Sequence, residues 1–294
     1  MPNESRDLRD RIATRCVCCG SEKLVKSPAI LMPFVAHRVF GWAPVEIDDS
    51  WGLRTIRNGH AYSICNSVGC LDCGMLFLDI RFTDAEMGAL YRGYREEEYT
   101  ALREHYEPGY RVRNEELNQG IAYVPEVEGF LSDFLPERIR VLDWGGDTGM
   151  NTPFKDRADV FHIHDISARA AVAGATIIGP EAMRRTTYDL IVCSNVLEHV
   201  SFPLDLIEDI KSCMDRDSVL YIEVPFEEVV RQNDDVKERC AHKRHWHEHI
   251  NFFCARSLGV MIRSAGLDIL ALKDLSSGAD TLPHQFMVAC RLRT

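Results

Sequence analysis

The stretch VLDWGGDTG, residues 141–149, decides how this chain is read. An apolar run ends in Asp143, and Gly145, Gly146, Asp147 and Gly149 follow closely. Glycines after a strand let the backbone turn sharply and approach a ligand. A dinucleotide fingerprint needs G-x-G-x-x-G, yet counting from Gly145 the third position is Asp147 and the sixth is Met150. A phosphate loop also fails, because no Gly-Lys-Ser/Thr follows. The spacing D-x-G-x-x-x-G fits, with Asp165 closing the next apolar run. An acid in that place holds both ribose hydroxyls of a bound nucleoside. Gly145 and Gly149 would admit the ligand's other end, and Asp143 would attract an ammonium group there.

From Pro125 onward, strand and helix patterns alternate around this turn. IRVLDW, DVFHIHD, ATIIG, YDLIVCSN, SVLYIEV, LDILALKDL and HQFMVACRL read as seven strands. PEVEGFLSDFL, PLDLIEDIKSCM and SLGVMIRSAG read as helices. The expected fold class is α/β: a doubly wound, mostly parallel seven-stranded Rossmann-like sheet. No helix pattern separates the last two strands, so the final one should enter antiparallel. Residues 84–110 read as helical, capped at Thr83 or Asp84 and stopped at Pro108-Gly109. This segment is either a surface helix pair carrying salt bridges or a lid whose Arg92, Arg95 and Arg103 meet phosphate.

The chain has eleven cysteines among 294 residues, six of them between Cys16 and Cys73. Cys16-x-x-Cys19-Gly20 and Cys70-x-x-Cys73-Gly74 each form a C-x-x-C-G turn. Such a turn aims two thiolates at one ion, and two turns complete a closed, tetrahedral, structural zinc site. Cys18 and Cys65 are spares or alternative ligands. The intervening residues should form strands or a loop of their own. Three parts follow: residues 1–82 as a small N-terminal zinc-binding unit, 83–124 as a helical linker or lid, and 125–294 as the core.

A net charge of −11 argues against a general grip on nucleic acid or anionic membrane. No apolar run is long enough to span a membrane, and the charged start MPNESRDLRDR lacks an apolar signal core. A cytoplasmic protein, monomeric or homodimeric, is the expectation.

The blocks VLDWGGDTG, HIHDIS, YDLIVCSNVLEHV and LYIEVP resemble the class I S-adenosylmethionine-dependent methyltransferases. Asp147 stands where that family usually has the middle glycine of its first loop. The resemblance implies S-adenosylmethionine as cofactor, held by Asp143, Gly145, Gly146, Asp147, Gly149, Asp165, Ile166, Ser194 and Asn195. Pro180–Met183 are the candidates for the adenine contacts. A narrower resemblance adds the two C-x-x-C-G turns and WHEHINFF, residues 246–253. Together these look like the sugar C-methyltransferases, whose segment reads YHEHxxYF. That implies a structural Zn²⁺ on Cys16, Cys19, Cys70 and Cys73, and a sugar or nucleotide-sugar acceptor. It also implies His249 as general base, with His247 or Glu248 to orient it or to hold the sugar. His199, just after the fourth strand, should lie near the methyl group in a supporting part, because active sites of open α/β sheets sit at the carboxyl ends of strands. Trp246 replaces the family's tyrosine, and the family's further C-terminal domain has no counterpart after the seventh strand, so C- and O-methylation both stay open.

His245, His247 and His249 would share one face of a strand, which makes a metal site there an alternative. Lys243 and Arg244 could meet a phosphate on the acceptor. Other functional readings are methylation of a non-sugar natural product, or a zinc-knuckle binding protein with a relic cofactor fold.

Overall fold

The computed structural model describes residues 11–56, 58–167, 169–278 and 282–293. Most of the charged start, residues 1–10, lies outside them. The seven core strands are β1 (Ile139–Trp144), β2 (Ala158–His164), β3 (Thr176–Ile177), β4 (Leu190–Ser194), β5 (Val219–Pro225), β6 (Leu267–Asp274) and β7 (Gln285–Leu292). They form one sheet in the order β3-β2-β1-β4-β5-β7-β6. The pairs from β3 to β5 are parallel, and β7 runs antiparallel to both β5 and β6, as the missing helix pattern requires. β1 and β4 are almost wholly buried, as expected for parallel strands covered on both faces. The strand order reverses between β1 and β4, so a crevice opens beyond their carboxyl ends.

The N-terminal region builds a second sheet of five strands. Leu24–Leu31, Ile64–Cys70 and Leu76–Leu78 lie at its centre. Both of its edges come from one distant segment: His245–Trp246 pairs with the first of these strands, and Asn251–Phe252 with the third. From Trp246 to Asn251 an extended chain spans about 17 Å, short of the ~19 Å width of a flat five-stranded sheet. The sheet therefore curls, and His247–Ile250 bridge its edges outside the ladder. This overturns the expectation that His245, His247 and His249 share a strand face, because the strand ends at Trp246. Trp246 is fully buried and donates its indole N–H to Ser67 Oγ at 2.8 Å, so the tyrosine-to-tryptophan difference lies in the core.

The bridging segment is tied to the loop after β4. The Glu198 carbonyl accepts the N–H groups of Ile250 (2.7 Å) and Asn251 (3.0 Å). The Asn251 amide donates to the carbonyls of Leu197 (2.9 Å) and Val200 (2.6 Å). Arg81, buried behind them, donates to Asn251 Oδ1 (2.9 Å) and to the carbonyls of Ser201, Leu78 and Ile250. Burial pushes its pKa down to about 9.

Residues 84–110 hold two helices, in keeping with a helix pair. Asp84–Tyr91 starts in a capping box of Thr83 and Glu86, and Glu97–Tyr106 follows after a break. Gly93 and Arg95, both at positive φ, make the break. A helix at Tyr110–Asn118 and another at Val236–His242 carried no sequence signal read above. Among the described residues, no helix is long and apolar enough to cross a membrane.

Replacing Asn251 by alanine removes the partner of the buried Leu197 carbonyl, of the part-buried Val200 carbonyl and of one Arg81 N–H. We expect a loss of about 3 kcal/mol in urea unfolding; a loss under about 1 kcal/mol would show that the two segments hold together without it.

Candidate active site

The glycine turn follows β1 directly, and Gly145 donates its N–H to the His164 carbonyl at 2.8 Å. Gly145 and Gly149 have φ of 81° and 78°. A Cβ on Gly145 would lie 2.5 Å from Val196 Cγ2, and one on Gly149 2.6 Å from Ile163 Cδ1. These glycines are required by left-handed backbone and by close side chains: Val196 of the cleft wall at Gly145, and the core Ile163 at Gly149. Asp147 also has a positive φ, 53°. Aspartate is among the few non-glycine residues that tolerate this region, so it can stand where glycine is usual. Its carboxylate meets Arg169 Nη1 at 2.6 Å and Arg95 Nη1 at 3.4 Å, and burial moves its pKa upward against those cations. Asp165 caps the turn: Oδ2 accepts the Asp147 N–H (2.9 Å) and Oδ1 the Ser167 N–H (2.6 Å). Asp143 is buried against Gly146 and accepts the Thr152 hydroxyl. Burial pushes its pKa up to about 7, with Asp165 and Asp147 adding to the shift.

Above the turn lies a cleft of about 850 Å³. Asp143, Gly145, Gly146, Asp147, Asp165, Ile166, Ser194 and Asn195 line one part, and His199, Glu248 and His249 line another. Gly149 lies beneath the turn and does not line it. Pro180–Met183 do not line it either, and Met183 belongs to the core. Ala170–Val172 line the cleft instead, held by the Val172 N–H on the Thr148 carbonyl at 2.9 Å. No sequence pattern marked them. Asn195 adopts φ 54° and donates with Ser194 to the buried Glu223, which also accepts the Tyr123 hydroxyl. Tyr91, Tyr94, Arg95, Arg103 and Tyr110 of the 84–110 segment and its sequel cover the cleft. Arg95 is committed to Asp147, and Arg103 to Glu107 and Glu248.

The wall formed by the clamped segments is dense in ionisable groups. His249 Nδ1 lies 2.7 Å from Glu227 Oε1. Burial lowers the His249 pKa, but Glu227, Glu198 and Glu248 outweigh it and leave it raised. His199 Nδ1 lies 3.1 Å from the Glu248 carbonyl, which places a proton on that nitrogen, and 2.7 Å from the Tyr91 hydroxyl. Burial drives the His199 pKa down to about 3. The two rings meet edge to face at 4.6 Å. Burial pulls the Glu248 pKa upward, yet Arg103 and the two histidines hold it at about 2. Glu198, 1% exposed, has neither carboxylate oxygen hydrogen-bonded among the described residues, and burial pushes its pKa up to about 7. Glu198 and Glu227 were not among the residues singled out in the sequence, although Glu198 lies inside the LEHV block.

His247 does not line the cleft, and its Nδ1 lies 3.1 Å from Glu107 Oε1. Lys243 stacks its ammonium over Phe252 at 4.4 Å and Trp246 at 4.9 Å, and neither it nor Arg244 lines the cleft.

The two C-x-x-C-G turns meet at the far end of the N-terminal sheet. In each, the glycine N–H returns to the first cysteine carbonyl at 2.9 Å, and the glycine has positive φ. Cys16 and Cys73 Sγ are 3.6 Å apart, as are Cys19 and Cys70 Sγ, and all four sulfurs lie within 4.8 Å. A disulfide needs about 2.05 Å. Four thiolates around one zinc at about 2.3 Å would sit roughly 3.8 Å apart, so the cysteines fit such an ion. Cys18 instead donates to the Ser257 carbonyl at 3.0 Å, and Cys65 lies in the other core cluster.

Fold and cleft together define a class I methyltransferase architecture. A family model described as a methyltransferase domain matches residues 115–272, more than half of the chain, and the chain belongs to that family. No curated protein matches the chain. Among solved structures it is similar to the 1,6-didemethyltoxoflavin-N1-methyltransferase of Burkholderia thailandensis with bound 1,6-didemethyltoxoflavin and S-adenosylhomocysteine, at 13% identity and TM-score 0.48, over 76% of this chain and 97% of that one. It is also similar to the glycopeptide N-methyltransferase MtfA complexed with sinefungin, at 13% identity and TM-score 0.44, over 57% and 93%. A SAM-dependent methyltransferase from Aquifex aeolicus matches at 17% identity and TM-score 0.41, over 57% and 89%.

Proposed function

We propose that this protein methylates a polyhydroxylated, sugar-like small molecule, free or nucleotide-linked, using S-adenosylmethionine. The observation that carries this reading is one cleft that joins the Asp143–Asp165 turn to the His199–His249 wall. When bound, the cofactor supplies an electrophilic methyl group on a sulfonium sulfur. Asp143, ionised, attracts the cofactor's ammonium group, and Asp165 receives the ribose hydroxyls on lone pairs its amide contacts leave open. Tyr91, Tyr94 and Tyr110 offer ring faces, and Glu198, Glu248 and His249 offer hydrogen-bonding groups, which suits a polar ring. The resemblance of WHEHINFF to the sugar C-methyltransferase segment supports the same acceptor class.

His249 takes the proton that the acceptor releases as its carbon or oxygen bonds to the methyl group and the sulfonium C–S bond breaks. Glu227 fixes the proton on Nδ1, leaves Nε2 basic, and stabilises the imidazolium that forms. A Zn²⁺ on Cys16, Cys19, Cys70 and Cys73 would hold the N-terminal turns together, which supports reading that region as a zinc-binding unit.

Cofactor affinity should follow Asp143. A carboxyl of pKa about 7 is mostly protonated at pH 6 and mostly ionised at pH 7.5, so calorimetry should show binding weaker by about eightfold at the lower pH. A flat profile would remove Asp143 from the ammonium contact. The variant His249→Ala should bind S-adenosylmethionine normally while turnover of deoxysugar nucleotides, read by mass and NMR with labelled cofactor, falls on the order of a hundredfold; undiminished turnover removes it as the base. Cys70→Ser should lose zinc by metal analysis and soften the N-terminal sheet, and full metal content would mean another ligand set.

A further inference from the structure

We propose that Glu198, His199 and His249 form a second metal site, for a divalent transition-metal ion, in the wall of the cleft. One ring nitrogen of each histidine and one oxygen of Glu198 lie within 4.8 Å of one another. This geometry stands apart from the four-cysteine cluster.

Four observations bear on it. First, a carboxylate buried to this degree without a hydrogen bond is costly, and an ion would relieve it. Second, both histidines have their Nδ1 engaged, His249 with Glu227 and His199 with the Glu248 carbonyl. That leaves Nε2 of each ring as the nitrogen with a free lone pair, the arrangement by which outer contacts orient metal-binding imidazoles. Third, His199 Nε2 already lies 3.7 Å from Glu198 Oε1, so small rotamer adjustments suffice to share an ion. Fourth, all three residues line the cleft, so remaining coordination positions open toward a bound molecule. Two imidazoles and one carboxylate suit Zn²⁺, Co²⁺, Fe²⁺ or Mn²⁺ better than Mg²⁺ or Ca²⁺, which favour oxygen ligands.

The ion would occupy Nε2 of His249, the nitrogen assigned above to the acceptor's proton. Metal and proton transfer therefore compete for one atom, and an occupied site stops turnover without touching the Asp143–Asp165 end. That consequence rests on the proposed base; the binding itself does not.

The test is a cobalt titration of the full chain after its thiolate-bound metal has been counted. We expect one further Co²⁺ per chain, with d–d bands and no sulfur charge-transfer band. That ion should be absent in Glu198→Gln and in His249→Ala. Anomalous diffraction at the cobalt edge on wild-type crystals needs no variant and should place a peak between Glu198 and the two rings. No additional ion, unchanged uptake in both variants, or a peak only at the cysteines overturns the site. At saturating Co²⁺ turnover should fall on the order of a hundredfold with cofactor affinity unchanged. A filled site with full turnover would overturn the competition and the base together, while an empty site leaves the base reading intact.

Discussion

The clamp between residues 197–201 and 248–251 governs where everything else sits. Its parts are backbone and amide hydrogen bonds: the Glu198 carbonyl on two N–H groups, and the Asn251 amide on two carbonyls. They are buried except at the half-buried Val200 end, and a buried bond left unmade costs far more than a made one gains. The register of the two segments is therefore fixed. One segment belongs to the loop after β4, whose position the large sheet dictates. The other is the short bridge joining the edges of the curled N-terminal sheet. Locking them places His199 and His249 ring to ring, and sets the N-terminal sheet against the carboxyl end of the core strands.

A second constraint works at the opposite end of the cleft. The glycine turn has three left-handed residues, Gly145, Asp147 and Gly149. The strain of Asp147 is offset by its two arginines and by the Asp165 carboxylate on its own N–H. Because Arg95 comes from the break between the two covering helices, the covering segment is joined to the turn by charge. Arg103 joins it to the Glu248 side. The covering segment thus touches both halves of the cleft, which explains why Arg95 and Arg103 face carboxylates where the sequence pattern had raised phosphate.

Much of this was legible in the residues themselves. The seven strands and the antiparallel last one followed from apolar runs and missing helix periodicity, because parallel strands buried on both faces leave an unambiguous mark. The C-x-x-C-G spacing likewise foretold two cysteine turns brought together, and the structure adds that both glycines are left-handed. What was not legible depends on long-range closure. Nothing local to WHEHINFF shows that it supplies both edges of another sheet, so His247 and His249 were placed on one face and in fact diverge. Glu198 drew no notice because its meaning lies in burial without a hydrogen bond among the described residues, which no sequence pattern records. Ala170–Val172 are small apolar residues whose place over the turn comes from a single backbone hydrogen bond.

The proposed function makes one spatial demand: the clamp must set His249, with His199 against it, beside the methyl group of a nucleoside held by the glycine turn. A crystal structure with S-adenosylhomocysteine tests it most directly. The account predicts ribose hydroxyls on Asp165, the amino group toward Asp143, and the sulfur facing the His199–His249 wall across an open acceptor space. A nucleoside bound elsewhere, or a sulfur turned away from that wall, would contradict it.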